Sequence, residues 1–173
     1  MIYRDVSIKD AERLMKLRSL PDVAQASNEP PPADDQAHMH WMRYKLQGMC
    51  SGEVYWKVLL DDERAFMGVV RLDRGLVNRL GNPSTKNGVS EAWELNVAVF
   101  PRFRRSYTGL SLVLMAVEWN FGEGPHLPII ARVKYNNQSS LGLFQKAGFG
   151  TYDFKLIPKS EQKGVLKTLI RRN

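Results

Sequence analysis

Residues 97–115 read VAVFPRFRRSYTGLSLVLM. An apolar, strand-like run stops at Pro101, and three arginines and two aromatics follow, with a single glycine at Gly109. From Leu110 the apolar residues recur at helical spacing through Val113, Leu114, Val117 and Phe121. A strand that turns directly into a helix exposes unpaired backbone N–H groups at the positive end of the helix dipole, a ready seat for an anion. Arg104 and Arg105 would add bidentate donors for phosphate oxygens. The same basic and aromatic residues suit stacking on bases, or a plain solvated corner. The residues alone leave phosphate, nucleic acid and solvent open as occupants of this turn.

Working outward, Ile2–Val6 reads as a strand. Ser7 with Asp10 resembles a capping signal ahead of a helix with Ala11, Leu14, Met15 and Leu17 on one face. NEPPPADD (28–35) breaks the chain before a second helix carrying Met39, Met42 and Leu46. EVYWKVLL (53–60) and AFMGVVRL (65–72) flank polar DDER and predict a hairpin. Residues 73–90, rich in Gly, Asn, Ser and Pro, are expected to form a long loop. AWELNVAVF (92–100) and PIIARVK (128–134) read as strands, NQSSLGLFQKAG (137–148) as a short helix, and two terminal strands are expected near 149–157 and 164–171. The expected fold class is mixed α/β, a mostly antiparallel central sheet flanked by helices, in one domain spanning residues 1–173.

Composition narrows the function classes. With 173 residues, 43% hydrophobic and 25% charged, the chain is large enough for a substantial core. One cysteine, Cys50, excludes an internal disulfide framework, and the three histidines form no zinc pattern, so no metal site is expected. His38 and His40, two apart on a helix, would not face one ion and are expected on its surface. No apolar run approaches membrane-spanning length, and the amino terminus lacks a signal-peptide core, so a soluble cytoplasmic protein is expected. The net charge of +7 fits an anionic partner as well as a solvated surface.

The stretch 97–115 resembles the acetyl-CoA pyrophosphate loop of the GCN5-related N-acetyltransferase superfamily, in which Arg/Gln-x-x-Gly-x-Gly/Ala opens a helix. Arg104 falls on the Arg/Gln position and Gly109 on the final Gly/Ala, while Tyr107 replaces the middle glycine. NQSSLGLFQKAGF (137–149) resembles the superfamily's later signature, with Asn137, Ser140, Leu143, Lys146, Gly148 and Phe149 in place. RDVSIKDAERLMKLR (4–18) is similar to its first strand and helix, so the likeness runs over nearly the whole chain. The resemblance implies that acetyl-CoA is the cosubstrate. Backbone N–H groups of Arg105, Ser106, Tyr107, Thr108, Gly109 and Leu110 would cradle its pyrophosphate. Val97 and Val99 would pair with pantetheine at a splay between two strands, Asn137 would hydrogen-bond the pantetheine or the helix start, and Phe144 and Lys146 would lie along the cofactor.

The implied reaction moves an acetyl group from thioester to amine, which requires loss of an ammonium proton and protonation of a thiolate. The tyrosine that serves as thiolate acid in the family is Phe144 here; Ser140 is the nearest hydroxyl, with a helix-start role as its alternative. Glu94 is the candidate base, with an ion pair to an arginine such as Arg71 as the alternative. RSLPDVAQASNEPPPADDQAHMHWM (18–42) resembles acetyltransferases that modify amino groups on nucleotide-linked sugars. Arg71, Arg74, Arg79 and Lys86, set against Asp73, suit an anionic acceptor, with a solvated loop as the alternative. A protein N-terminal or lysine acetyltransferase, or a nucleic-acid-binding protein on the same fold, stands as the alternative, and a homodimer is compatible with each.

Overall fold

The computed structural model describes residues 1–29, 31–77, 90–134, 136–155 and 166–171. Arg79, Lys86 and Tyr135, which flank the expected site in sequence, lie outside them.

The opening strand β1 (Ile2–Asp5) leads into a 3-10 turn at Ile8–Asp10 and helix α1 (Ala11–Arg18). The capping signal is real: Asp10 Oδ2 accepts from Ser7 N–H at 2.9 Å, and its carboxylate also receives two hydrogen bonds from Arg4 at 2.7 and 2.8 Å. Burial alone would raise the Asp10 pKa. The bonds from Arg4 and Ser7 outweigh it and hold the carboxyl below its ordinary value.

A short helix, α2 (Pro21–Ala26), follows where sequence periodicity predicted none. Proline at its first position supplies the helical φ, but it buries no residue, so it carries no apolar stripe to read. Helix α3 (Asp35–Cys50) starts beyond the proline-rich break, with Asp34 accepting from Ala37 N–H at 2.7 Å.

Strands β2 (Val54–Leu60), β3 (Phe66–Val77) and β4 (Ser90–Val99) form an antiparallel meander. The loop expected at 73–90 does not begin at Asp73, and residues 78–89 lie outside the described residues. β3 runs on to Val77 and pairs with β4 from Asp73↔Glu94 to Val77↔Ser90, because backbone pairing tolerates Gly75 and polar side chains on a solvated face. Gly68 is required where it stands. A Cβ there would lie 2.6 Å from the Ala98 carbonyl oxygen and 3.1 Å from Val99 Cα, so only glycine lets β3 close on the end of β4.

Helix α4 (Thr108–Gly122) returns the chain to β5 (Ile129–Lys134), and α5 (Gln138–Lys146) precedes β6 (Gly150–Lys155) and β7 (Leu166–Arg171). The seven strands lie in the order β1-β2-β3-β4-β5-β7-β6, all antiparallel except β4 with β5. Side chains alternate between two layers. Trp93, Leu95, Val97 and Val99 pack toward α4 and α5, whereas Val58, Val69 and Ala98 pack toward α1 and α3. Among the described residues, no helix is long and apolar enough to cross a membrane.

Candidate active site

β4 and β5 are in register only at Trp93↔Ile129 and Glu94↔Ile130. Beyond that rung they part. Trp93 N–H donates to the Pro128 carbonyl on the β5 side, while Phe100 N–H donates to Met67 on β3. Backbone direction alternates along a strand, so the groups of Leu95, Val97 and Val99 point into the splay. A polar edge buried there must find hydrogen-bond partners. Val99 has one: its carbonyl accepts from Arg104 Nε at 3.0 Å.

The turn after β4 begins with a 3-10 segment at Pro101–Phe103. Arg105 and Tyr107 then take left-handed conformations, with φ of +62° and +61°. These values fold the backbone so that α4 starts facing the splay. Its first helical hydrogen bond runs from Ser111 N–H to the Tyr107 carbonyl, which leaves the N–H groups of Thr108, Gly109 and Leu110 without helical partners. Ser106 Oγ donates to the Phe103 carbonyl at 2.6 Å and lies 3.0 Å from the buried Thr108 Oγ1, bracing the turn. Tyr107 is 79% exposed, so its ring packs against little of the protein. A Cβ on Gly109 would meet Leu143 at 3.4 Å and Val99 at 3.7 Å, ordinary contact distances, so alanine fits here as well as glycine.

The three arginines of the turn divide. Arg104 is an ion-pair partner of Asp22 on α2 as well as a donor to Val99, so it braces the turn instead of standing free for phosphate. Arg102 lies over the Phe103 ring at 4.5 Å. Arg105 is exposed and has no side-chain partner among the described residues.

At the other side of the splay, Asn137 caps α5: its Oδ1 accepts from Ser140 N–H at 3.1 Å. Ser140 is half-buried, and Phe144 lies one turn further along the same face. The Phe144 ring is buried against Phe149, with centroids 5.2 Å apart. Lys146 sits exposed in the last turn.

The opposite face of the sheet carries the charges. Glu94 pairs with Arg132 through both carboxylate oxygens, one accepting from Arg132 Nε at 2.9 Å. Arg71, the partner expected for Glu94, instead meets Glu29 at 2.9 Å and Asp73 at 2.7 Å, and Arg74 is paired with Glu91. Neither described arginine of the 71–90 segment is therefore an unpaired cation. Arg132 was not singled out by the sequence reading. A charged residue inside the apolar run PIIARVK is the signal that marks it, since burial lowers its pKa and a carboxylate must lie nearby.

His38 is not on a helix surface. It is 2% exposed, stacks on Trp41 and bonds the Ala11 carbonyl through Nε2 at 2.7 Å. That bond requires the proton on Nε2, so the ring ties α3 to α1. His40 is exposed, as a residue two further along a helix should be.

Helix α2 and the residues after it bridge the splay. Asp22 binds Arg104 on the β4 side, the Gln25 carbonyl receives Lys134 Nζ from β5, and Asn28 Nδ2 donates to the Arg132 carbonyl at 2.9 Å.

A splayed parallel pair with a helix start at its mouth sets an unpaired strand edge beside a seat for an anion. A model of the acetyltransferase (GNAT) domain matches residues 1–150, and the chain belongs to that family, whose members are acetyl-CoA-dependent N-acetyltransferases. Its fold is similar to spermidine N-acetyltransferase from Vibrio cholerae in complex with CoA and spermine, with TM-score 0.73, 14% identity and coverage of 98% of this chain and 94% of that one. It is also similar to ribosomal-protein-S5-alanine acetyltransferase from Vibrio fischeri, with TM-score 0.75, 14% identity and coverage of 99% and 92%. A GNAT-family acetyltransferase from Streptococcus pneumoniae has TM-score 0.72, 16% identity and coverage of 98% and 97%. No protein of curated function matches the sequence significantly.

Proposed function

We propose that this N-acetyltransferase acetylates the primary amine of a small molecule, an amino group on a nucleotide-linked sugar being the favoured acceptor. The observation that carries the small-molecule reading is the bridge over the splay. α2 and its flank are tied to β4 through Asp22 and Arg104, and to β5 through Gln25, Asn28, Arg132 and Lys134. A face strapped at both edges suits a compact acceptor better than an extended peptide, which needs an open groove.

In this reading the N–H groups of Arg105–Leu110 receive the pyrophosphate, with the exposed Arg105 as the cation of the turn and Arg104 as the residue that holds the turn in shape. Val97 and Val99 pair with pantetheine through backbone groups, which places the thioester near the rung at Glu94. The acceptor amine attacks the thioester carbon, and the tetrahedral intermediate collapses with loss of thiolate. Ser140, one helical turn before Phe144, carries the hydroxyl that relays to the departing sulfur the proton released by the acetylated nitrogen.

Glu94 is the site's carboxylate, but Arg132 engages both of its oxygens and competes for the lone pairs a base would use. Its role is to hold the acceptor's ammonium beside the thioester, while the amine loses its proton to water. An acceptor screen monitored by thiol release tests the function. Turnover with nucleotide-linked amino sugars and none with peptide amino termini is expected; turnover confined to peptides would overturn the acceptor assignment.

A further inference from the structure

Glu29 is held by three cations. Its carboxylate lies 2.9 Å from Arg71 Nη2, 3.8 Å from Lys45 Nζ and 3.8 Å from Arg18 Nη2. Those cations come from β3, α3 and α1, so the fold itself brings them together. Their side chains are 7%, 13% and 16% exposed for Arg71, Lys45 and Arg18, whereas Glu29 is 39% exposed. The cations are fixed, and the anion is the accessible member, carried on the irregular segment between α2 and α3.

Trp41 fixes two of them further. Its ring has Arg18 at 3.8 Å and Arg71 at 5.1 Å from the centroid. Asp73 binds Arg71 and Lys45 and accepts from Asn96, which lies directly across from Arg71 on β4. Among the described residues, three positive side chains therefore face two negative ones. Burying like charges together is costly unless a compensating anion is present. Glu29 supplies one charge, and a phosphoryl group in its place would supply close to two and balance the cluster.

We infer that Arg18, Lys45 and Arg71 form the seat for a phosphoryl group on the acceptor, and that Glu29 is its built-in occupant, displaced when the acceptor enters. Asp73 faces Glu94 across β3 and β4, and Glu94 stands at the rung where the splay opens. A group seated on the trio would thus lie beside the acetyl-transfer point. The inference rests on the acetyltransferase reading and names what selects its acceptor.

The test titrates inorganic phosphate, and separately a nucleoside diphosphate, into protein saturated with CoA, so that the pyrophosphate turn is already filled. Fluorescence of Trp41 reports the binding, with Trp41→Phe as the blank. Glu29→Gln is expected to bind phosphate at least about fivefold more tightly than wild type, because the competing carboxylate is gone while the segment keeps its shape. Adding Lys45→Gln to it should reverse the gain. A nucleoside diphosphate binds more tightly than inorganic phosphate if the acceptor is nucleotide-linked, and equally if it is a simple phosphorylated amine. Glu29→Gln with no gain, or a gain indifferent to Lys45→Gln, would overturn the inference. Failure of CoA itself to bind, measured first in the same cell, would refute the cosubstrate reading instead.

Discussion

Tyr107 occupies a left-handed position, φ +61°, where the superfamily pattern has glycine. A side chain in that region costs on the order of 1–3 kcal/mol, and glycine adopts it freely. Its ring is 79% exposed, so removing it forfeits little burial. Glycine gives back about 0.5–1 kcal/mol through the greater freedom of the unfolded chain. The balance predicts that Tyr107→Gly stabilises the protein by about 1 kcal/mol, which for a chain of this size is a rise in Tm of about 2–4 °C. Tyr107→Ala keeps the strained backbone and should gain nothing. Thermal unfolding of both variants, with CoA affinity measured alongside, checks the reasoning. If glycine is no more stable than alanine, the turn is not strained at Tyr107. If glycine weakens CoA binding, the ring takes part in the site.

Three further outcomes follow from the geometry. Gly68→Ala should destabilise by about 1–3 kcal/mol in urea unfolding, since its Cβ would sit 2.6 Å from the Ala98 carbonyl oxygen and force β3 from β4; an unchanged midpoint would show that the strands yield. Glu94→Gln should raise the acceptor KM about tenfold or more and change kcat little, because a positioned ammonium loses its counter-charge in ground and transition states alike; a fall confined to kcat would make Glu94 the base. Burial lowers the His38 pKa below 6.5, despite its bond to Ala11, so the unfolded chain binds the proton more readily. This contribution to stability is present above pH 6.5 and lost as pH falls toward the folded-state value. His38→Gln, whose amide can still donate to the Ala11 carbonyl, should flatten that acid slope, and an undiminished slope would place it elsewhere.

Much of the fold was legible because its signals are local. Apolar periodicity marks α1, α3 and α4, and β-rich runs mark β2 to β5. The strand-to-helix turn at 101–110 was legible because a proline, a basic run and a glycine occur at fixed spacing within ten residues. α2 was not, since a helix of six residues that buries none of them leaves no stripe. Nor were the charge partners. Arg104 meets a carboxylate 82 residues away, Arg71 one 42 away and Glu94 a guanidinium 38 away. Sequence shows which residues need a partner when buried, but the sheet order decides which partner they get. That is why Glu94 went to Arg132 and Arg71 to Glu29.

CoA is expected to lie in the splay between β4 and β5 with its pyrophosphate on the turn at 101–110. Backbone amide shifts recorded by NMR during a CoA titration test it most directly. The largest changes should fall on Arg105–Leu110, with Val97 and Val99 following, and should saturate together. Saturable shifts centred instead on the groove between α3 and β3, around Tyr44, Gly48 and Arg74, or no saturable shift at all, would contradict it.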